Sequence, residues 1–139
     1  MQINSYLFFN GNCAQAFEFY KESLGGKNLM LMPFRGSPME QHTSEQWLDK
    51  MLHASLQIGG QSLMGSDGMP EQPYQGITGC SIALSVDTDT EAEKAFNALA
   101  KNGKITMALE PTFWASKFGM LTDQFGVSWM VMCEAKAQA

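Results

Sequence analysis

The sequence predicts an α+β domain built from two copies of one βαβββ module. A strand, an amphipathic helix, a closing glycine and a further strand occur in this order twice, with an offset of about 77 residues. Each copy is followed by two more strand-like segments, and 139 residues suffice for one ordinary core. We therefore predict a single domain over residues 1–139, with a first module at 1–67, a connection at 68–78 and a second module at 79–139.

The first module opens with a strand and a helix. Residues 2–9 (QINSYLFF) are apolar and aromatic, and Asn12 is a suitable N-cap for the segment that follows. The apolar positions of that segment have helical spacing, and Gly25-Gly26 ends it. Residues 27–34 form the next strand, which Pro33 restricts to a sheet edge or a bulge. Residues 35–50 are polar and predict a loop with one helical turn.

A hairpin completes this module. His53–Ile58 alternates polar and apolar residues, Gly59-Gly60 provides a two-residue turn, and Gln61–Asp67 returns. Pairing across the turn sets Leu56 opposite Leu63 and Ser55 opposite Met64. One face is apolar and suits packing under a helix. The other face is mixed, which favours a ligand cavity over a dry core; it carries His53, Ser55, Gln57, Ser62, Met64 and Ser66.

The second module repeats the pattern after a connection with two prolines and two glycines. Cys80–Val86 reads as a strand, and Thr88 with Glu91 forms a capping box. The helix then shows an apolar stripe, which consists of Ala92, Ala95, Phe96 and Leu99. Gly103 ends the helix, and three strands follow over residues 105–109, 112–122 and 127–133. The last two are joined by the turn Asp123–Gly126.

Charge and composition exclude several classes of partner. The net charge is −5, and Arg35 is the single arginine, so the basic stripe that nucleic-acid binding needs is missing. No apolar run approaches the roughly 20 residues of a membrane span, and Met1–Asn10 lacks the features of a signal peptide. Three widely spaced cysteines predict free thiols rather than a zinc site or disulfides. We expect a cytoplasmic protein with neither nucleic acid nor membrane as partner.

Three segments resemble the vicinal oxygen chelate superfamily, which includes glyoxalase I, extradiol dioxygenases and bleomycin- and fosfomycin-resistance proteins. They are residues 19–25 (FYKESLG), 82–87 (IALSVD) and 123–126 (DQFG). Residues 112–115 (TFWA) and 122–127 (TDQFGV) are similar to the PhnB-like branch, often labelled 3-demethylubiquinone methyltransferase-like. The resemblance implies two curled half-barrel sheets, the glyoxalase-like fold, and a homodimer.

The methyltransferase label conflicts with the glycine pattern. S-adenosylmethionine usually binds over a glycine-rich turn between a strand and a helix of a parallel α/β sheet. Here Gly25-Gly26 ends a helix and Gly59-Gly60 joins two strands. We therefore expect no such cofactor.

Metal binding is also unexpected. The resemblance implies that the metal-ligand positions of the superfamily fall on Ser5, on Leu63 or Met64, on Ser81 and on Met130. None of these is a carboxylate or an imidazole, and neutral serine or thioether groups do not neutralise a hard or borderline divalent ion. We expect no metal and no other cofactor.

Few side chains remain for acid–base chemistry. His53, on the mixed face, is a candidate general base or ligand contact, and its alternative role is that of a satisfied histidine near a strand end. His42 lies in a polar loop and is most simply solvated. Asp67 and Asp123 are a candidate carboxylate pair, although an Asp that opens a D-x-x-G turn commonly caps its own backbone.

The sequence thus favours a small-molecule-binding protein whose ligand is partly apolar. His53 is expected to point into a concave pocket shared with Ser81 and Met130. The full predicted cavity consists of Ser5, His53, Ser55, Met64, Ser81, Ala83 and Met130. One alternative is a metal-dependent lyase, isomerase or dioxygenase with ligands relocated to residues such as His53, Asp67 and Glu110. Another is a dimeric scaffold without a ligand.

Overall fold

The structure, a computed structural model, describes residues 1–69 and 71–135. Pro70 of the predicted connection and residues 136–139 of the predicted second module lie outside this part of the chain. Two compact units are present, Met1–Gly76 and Ile77–Ala139. Each consists of one four-stranded mixed sheet and one α-helix packed on one face of that sheet.

The first unit has the predicted βαβββ order. Its sheet order is β1-β4-β3-β2, with β1 parallel to β4 and the other pairs antiparallel. The polar loop between β2 and β3 holds two 3₁₀ helices, Glu40–His42 and Glu45–Trp47. The main elements are β1 (Ser5–Phe9), α1 (Cys13–Leu24), β2 (Lys27–Pro33), β3 (Met51–Ile58) and β4 (Gln61–Asp67).

The second unit repeats this topology. Its sheet order is β5-β8-β7-β6, again with the first strand parallel to its neighbour. Its elements are β5 (Ile82–Val86), α2 (Asp89–Ala100), β6 (Lys104–Glu110), β7 (Ala115–Thr122) and β8 (Ser128–Glu134). The prediction of two βαβββ modules is therefore confirmed. Neither α1 nor α2 is long and apolar enough to cross a lipid bilayer.

Local sequence signals explain most element ends. Both residues of the Gly59-Gly60 turn have positive φ, as the two-residue hairpin requires. Gly25 adopts the left-handed conformation after α1, where Gly26 N donates to Lys21 O at 3.1 Å. Thr88 Oγ1 accepts the Glu91 N–H at 3.1 Å, so the predicted cap of α2 is confirmed.

Two predicted features at the starts of elements are corrected by the structure. Helix α1 starts at Cys13, directly after Asn12 as predicted, but the Asn12 side chain makes no capping hydrogen bond. At this helix end the carboxylate of Asp67 accepts the Cys13 N–H. The strand predicted to start at Thr112 starts at Ala115. Thr112 Oγ1 accepts the N–H groups of Trp114 and Ala115, which turns the backbone before the strand begins.

The helix of each unit packs on alternate residues of its strands. In the first unit the buried residues of α1 lie against the face that contains Leu7, Phe9, Ala54, Leu56 and Leu63. A glycine brings this helix close to its sheet, because a β-carbon at Gly65 would lie 2.6 Å from Leu7 O and 3.0 Å from the Phe17 ring. In the second unit Gly119 lies similarly close to Phe96 of α2.

We predict that Gly65→Ala lowers the free energy of unfolding by about 1–3 kcal/mol. The added methyl group would clash with the backbone of β1 and with the Phe17 ring of α1. Gly68→Ala is the matched control. Its φ is ordinary for an L-residue, and its β-carbon would meet only Phe9 O, at 3.8 Å. Urea unfolding measures both variants. Equal stability of the two would contradict the close packing described for Gly65.

Candidate functional site

The face of the first sheet opposite α1 gathers polar, aromatic and thioether side chains, and is called here the first open face. One row crosses the sheet through directly paired residues, in which Tyr6 pairs with Met64, Met64 with Ser55, and Ser55 with Met30. In the next row Phe8 pairs with Ser66, and His53 with Met32. This face therefore consists mainly of Tyr6, Phe8, Met30, Met32, His53, Ser55, Met64 and Ser66.

Tyr6 and His53 form a polar pair on this face. The Tyr6 hydroxyl oxygen lies 3.1 Å from His53 Nδ1, and the two rings are stacked, with centroids 5.6 Å apart and an interplanar angle of 28°. His53 lies on β3 beside Ala54, whose side chain is fully buried on the helix side. By strand alternation His53 therefore points away from α1.

The pair leaves one imidazole nitrogen for a ligand. When Tyr6 donates its hydroxyl proton to Nδ1, neutral His53 carries its own proton on Nε2 and presents a donor there. When Nδ1 carries the proton and donates to Tyr6, Nε2 presents an acceptor instead. Nε2 has no hydrogen-bond partner within residues 1–69 and 71–135.

The surroundings of the pair are apolar and accessible. Phe8 is 57% exposed, and Met30 and Met32 are each 43% exposed. The Phe8 and Tyr6 ring centroids are 5.3 Å apart. Methionine side chains adapt to irregular apolar partners. Tyr74, after β4, donates its hydroxyl to Phe8 O at 3.0 Å and so fixes the following segment beside β1.

Of the predicted cavity residues in this unit, two lie next to the pair and one does not. Ser55 and Met64 are paired on the first open face, and the predicted hairpin register is confirmed. Ser5 pairs with Leu63, on the same side of β1 as Leu7 and Phe9. Because strand side chains alternate, Ser5 belongs to the helix side, and its placement with Ser55 and Met64 is wrong.

The other three predicted cavity residues belong to the second unit. Ala83 on β5 pairs with Met130 on β8, and both lie on the face opposite α2. Ser81 immediately precedes β5 and is exposed.

Asp67 has a structural role at the end of β4. Its side chain is buried, and its Oδ1 accepts the N–H groups of Gly11 (2.7 Å) and Cys13 (3.0 Å). Its Oδ2 accepts the Met51 N–H at 2.8 Å. The negative charge lies at the N-terminus of α1, where the helix dipole stabilises it.

Asp123 is engaged in the same way in the second unit. Its Oδ1 accepts the N–H groups of Phe125 (2.8 Å) and Val127 (3.0 Å), and its Oδ2 accepts Trp129 Nε1–H at 2.9 Å. The prediction that Asp123 caps its own turn is confirmed. Since Asp67 and Asp123 each use both oxygens within their own unit, the structure provides no support for a catalytic carboxylate pair.

The described residues also fit a divalent metal poorly. His42 and Glu110 are exposed, in the first 3₁₀ helix and at the end of β6. Within residues 1–69 and 71–135 no group of three or more His, Cys, Asp or Glu side chains could hold a metal ion. Both oxygens of Asp67, a residue of the relocated-ligand alternative, are already held by backbone N–H groups.

Cys13 is not a nucleophile in this setting. Burial, and then the negative charge of Asp67, raises the pKa of its thiol to about 12. The thiol therefore stays protonated at neutral pH, and the thiolate is the reactive form. Cys133 is also buried, Cys80 is exposed, and all three are free.

The family model described as 3-demethylubiquinone-9 3-methyltransferase matches residues 1–132. The chain belongs to this family. The predicted resemblance to the PhnB-like branch is thereby confirmed. The glycines of this chain do not form the glycine-rich turn between a strand and a helix over which S-adenosylmethionine usually binds. Gly25 ends α1, and Gly59-Gly60 forms the β3–β4 turn.

Relatives of this family extend over nearly the whole chain. Protein YjdN of Escherichia coli K12 is 38% identical over 141 residues, which cover 94% of each chain. The crystal structure of PA1353 from Pseudomonas aeruginosa is 52% identical, with a TM-score of 0.89 and coverage of 98% of this chain and 99% of that one. A Bacillus cereus PhnB protein, titled a putative 3-demethylubiquinone-9 3-methyltransferase, has 24% identity, a TM-score of 0.75 and coverage of 96% and 99%.

Solved proteins of the glyoxalase/bleomycin resistance/dioxygenase type share the fold. Two of them, from Burkholderia phytofirmans and a Frankia species, are 14% and 15% identical to this chain, each with a TM-score of 0.65. The predicted glyoxalase-like fold is therefore confirmed.

Sequence reasoning missed Tyr6, Phe8, Met30 and Met32 as members of the site. The β1 segment is apolar at four successive positions, so no alternation distinguishes its two faces. These residues could have been found from the mixed face of the hairpin together with a parallel pairing of β1 with β4. With that register, Tyr6 falls next to Met64 and within reach of His53.

We predict that Asp67→Asn lowers the free energy of unfolding by about 1–3 kcal/mol or more, because an amide nitrogen would face at least one buried N–H donor. Asp87→Asn is the matched control, since Asp87 is exposed and directly follows β5. Chemical unfolding at neutral pH measures both. An Asp67→Asn protein as stable as the control would remove the structural role assigned to this carboxylate.

Proposed function

We propose that this protein binds a small, partly apolar organic molecule on the first open face and needs no metal to do so. The observation that carries the proposal is the Tyr6–His53 pair, a hydrogen-bonding group with stacked rings on an accessible sheet face. The pair is surrounded by aromatic and thioether side chains. A few convergent polar groups within an apolar lining are typical of small-molecule sites.

The chemistry of the face suggests the class of ligand. Apart from His53, its main residues have neutral aromatic, thioether or hydroxyl side chains. The single arginine, Arg35, is paired with Asp49 at 2.7 Å in an exposed loop contact. We therefore propose a neutral ligand whose planar or aliphatic body contacts Phe8, Met30 and Met32, and whose polar group bonds to His53 Nε2.

The proposal that binding needs no metal rests on the potential ligand atoms of this face. The first open face offers one imidazole, hydroxyl groups and thioethers, whereas divalent ions of the superfamily type require carboxylate and imidazole ligands that converge. The alternative with relocated metal ligands would need Asp67, but both oxygens of Asp67 already accept backbone N–H groups. The ligand-free scaffold remains as an outcome of the experiment below.

We predict that a thermal-shift screen of neutral aromatic and aliphatic compounds finds ligands that raise the Tm. A compound at 100 times its Kd adds about 2.7 kcal/mol. Tyr6→Phe and His53→Ala should weaken binding of these compounds. Because the pair is exposed, each should change the free energy of unfolding of the free protein by less than about 1.5 kcal/mol.

His42→Ala is the matched control, because His42 is the other histidine and lies in the exposed 3₁₀ helix. Unchanged affinity in both Tyr6→Phe and His53→Ala would reject the site. Absence of any hit would favour the scaffold. Stabilisation by added nickel, zinc or manganese, lost in His53→Ala, would favour the metal-dependent alternative.

We also infer a homodimer in the cytoplasm. Exposed apolar side chains away from the first open face favour association, and they include Ile3, Ile105 and Phe113, each at least half exposed. Three free cysteines fit a reducing compartment.

For the assembly we predict a species of about 30 kDa, twice the 15.3 kDa chain mass, in sedimentation velocity at micromolar concentration. A dilution series distinguishes a stable dimer from a weak one. A single 15 kDa species at the highest concentration would contradict the dimer.

A further inference from the structure

Three methionines form a continuous row across the second sheet. Met107 on β6 pairs directly with Met120 on β7, and Met120 pairs directly with Met130 on β8. Met120 and Met130 lie on the face opposite α2, because the adjacent residues Gly119 and Val131 lie on the helix side. Met107 is placed with them by its direct pairing with Met120, between two register shifts of β6. This face is called here the second open face.

The backbone places the three thioethers within reach of one point. Directly opposed residues of neighbouring strands have β-carbons about 4.5–5.5 Å apart. A methionine side chain has three rotatable bonds, so its sulfur can move along the row. Met107 is 50% exposed, and Met120 and Met130 are partly exposed, so an ion can reach them from solvent.

The donor atoms select a particular kind of ion. Thioether sulfur is a soft, neutral ligand that suits Cu(I), whereas magnesium, calcium and manganese require oxygen ligands. The row itself contains no carboxylate and no imidazole. Two charged residues of β6 lie on opposite sides of the row: Glu110 pairs with Phe118, and Lys104 pairs with Thr122. Their opposite charges give the surroundings of the row no net charge.

We propose that the row Met107–Met120–Met130 binds one soft monovalent cation, Cu(I) or its analogue Ag(I). The first unit supplies an internal comparison. Its corresponding row also crosses three antiparallel strands, as Met30–Ser55–Met64, but a serine separates the two methionines. Only the second unit therefore has three adjacent thioethers. The proposal is independent of the organic ligand proposed for the first open face.

The experiment measures Cu(I) binding anaerobically, by competition with the chromophoric chelator bicinchoninate. Because an exposed thiolate also binds Cu(I), all proteins carry Cys80→Ser. The parent is expected to bind one equivalent. Met120→Leu preserves volume and is expected to fold. It should weaken binding by at least about tenfold, since even outer-shell substitutions lower metal affinity by roughly 10–100-fold.

Met64→Leu is the matched control, because it removes a thioether in the same way from the first unit, at the strand position that corresponds to Met130. It should leave the Cu(I) affinity unchanged. In a parallel NMR titration of methyl-labelled methionine in the parent protein, Ag(I) should shift the signals of Met107, Met120 and Met130 together.

Three results would overturn the proposal. They are failure of the parent to compete with the chelator, binding by Met120→Leu as tight as that of the parent, and a loss of affinity in Met64→Leu equal to that in Met120→Leu. If Met120→Leu is poorly folded by circular dichroism, the NMR titration of the parent decides: shifts outside the row, or none, reject the site.

Discussion

The buried carboxylate of Asp67 is the interaction on which the first unit depends. It joins the end of β4 to the loop after β1, to the first turn of α1 and to the start of β3, through three backbone N–H groups. The bonds from Cys13 and Met51 are buried, so their N–H groups need an acceptor within the protein. Because the helix N-terminus is already neutralised by Asp67, it is not available to bind an anionic ligand.

The fold could be predicted from the sequence because its signals are local. Helical spacing, the Gly25 cap and the hairpin alternation act within a few residues, and most of these signals occur in both modules. The predicted ending of α2 at Gly103 was less accurate, because Lys101 is the C-cap and Asn102 has the positive φ. Asp67 could not be assigned in this way, since Gly11, Cys13 and Met51 converge on it only in three dimensions. The Tyr6–His53 contact is likewise set by a parallel register between distant strands. Ser5 was misplaced because its assignment came from family resemblance and not from strand alternation.

The two units show how a duplicated module can retain its packing while its open faces diverge. The helix-side positions remain apolar, since each helix must bury its stripe on the sheet. The opposite faces are free of that constraint. The first acquired Tyr6 and His53, whereas the second has Ala83 at the position that corresponds to Tyr6 and Met120 at that of Ser55. The tyrosine–histidine pair and the row of three thioethers are thus found on different units.

The concentration of methionine on these faces has a chemical cost. A thioether that adapts its shape to a ligand is also readily oxidised to a sulfoxide, which is polar and bulkier. Met30, Met32 and Met107 are the accessible ones, whereas Met51 is only 8% exposed. Peroxide would therefore modify the open faces before it reaches the core. These faces would become more polar while the protein remained folded, and reductive repair of the sulfoxides would restore their apolar character.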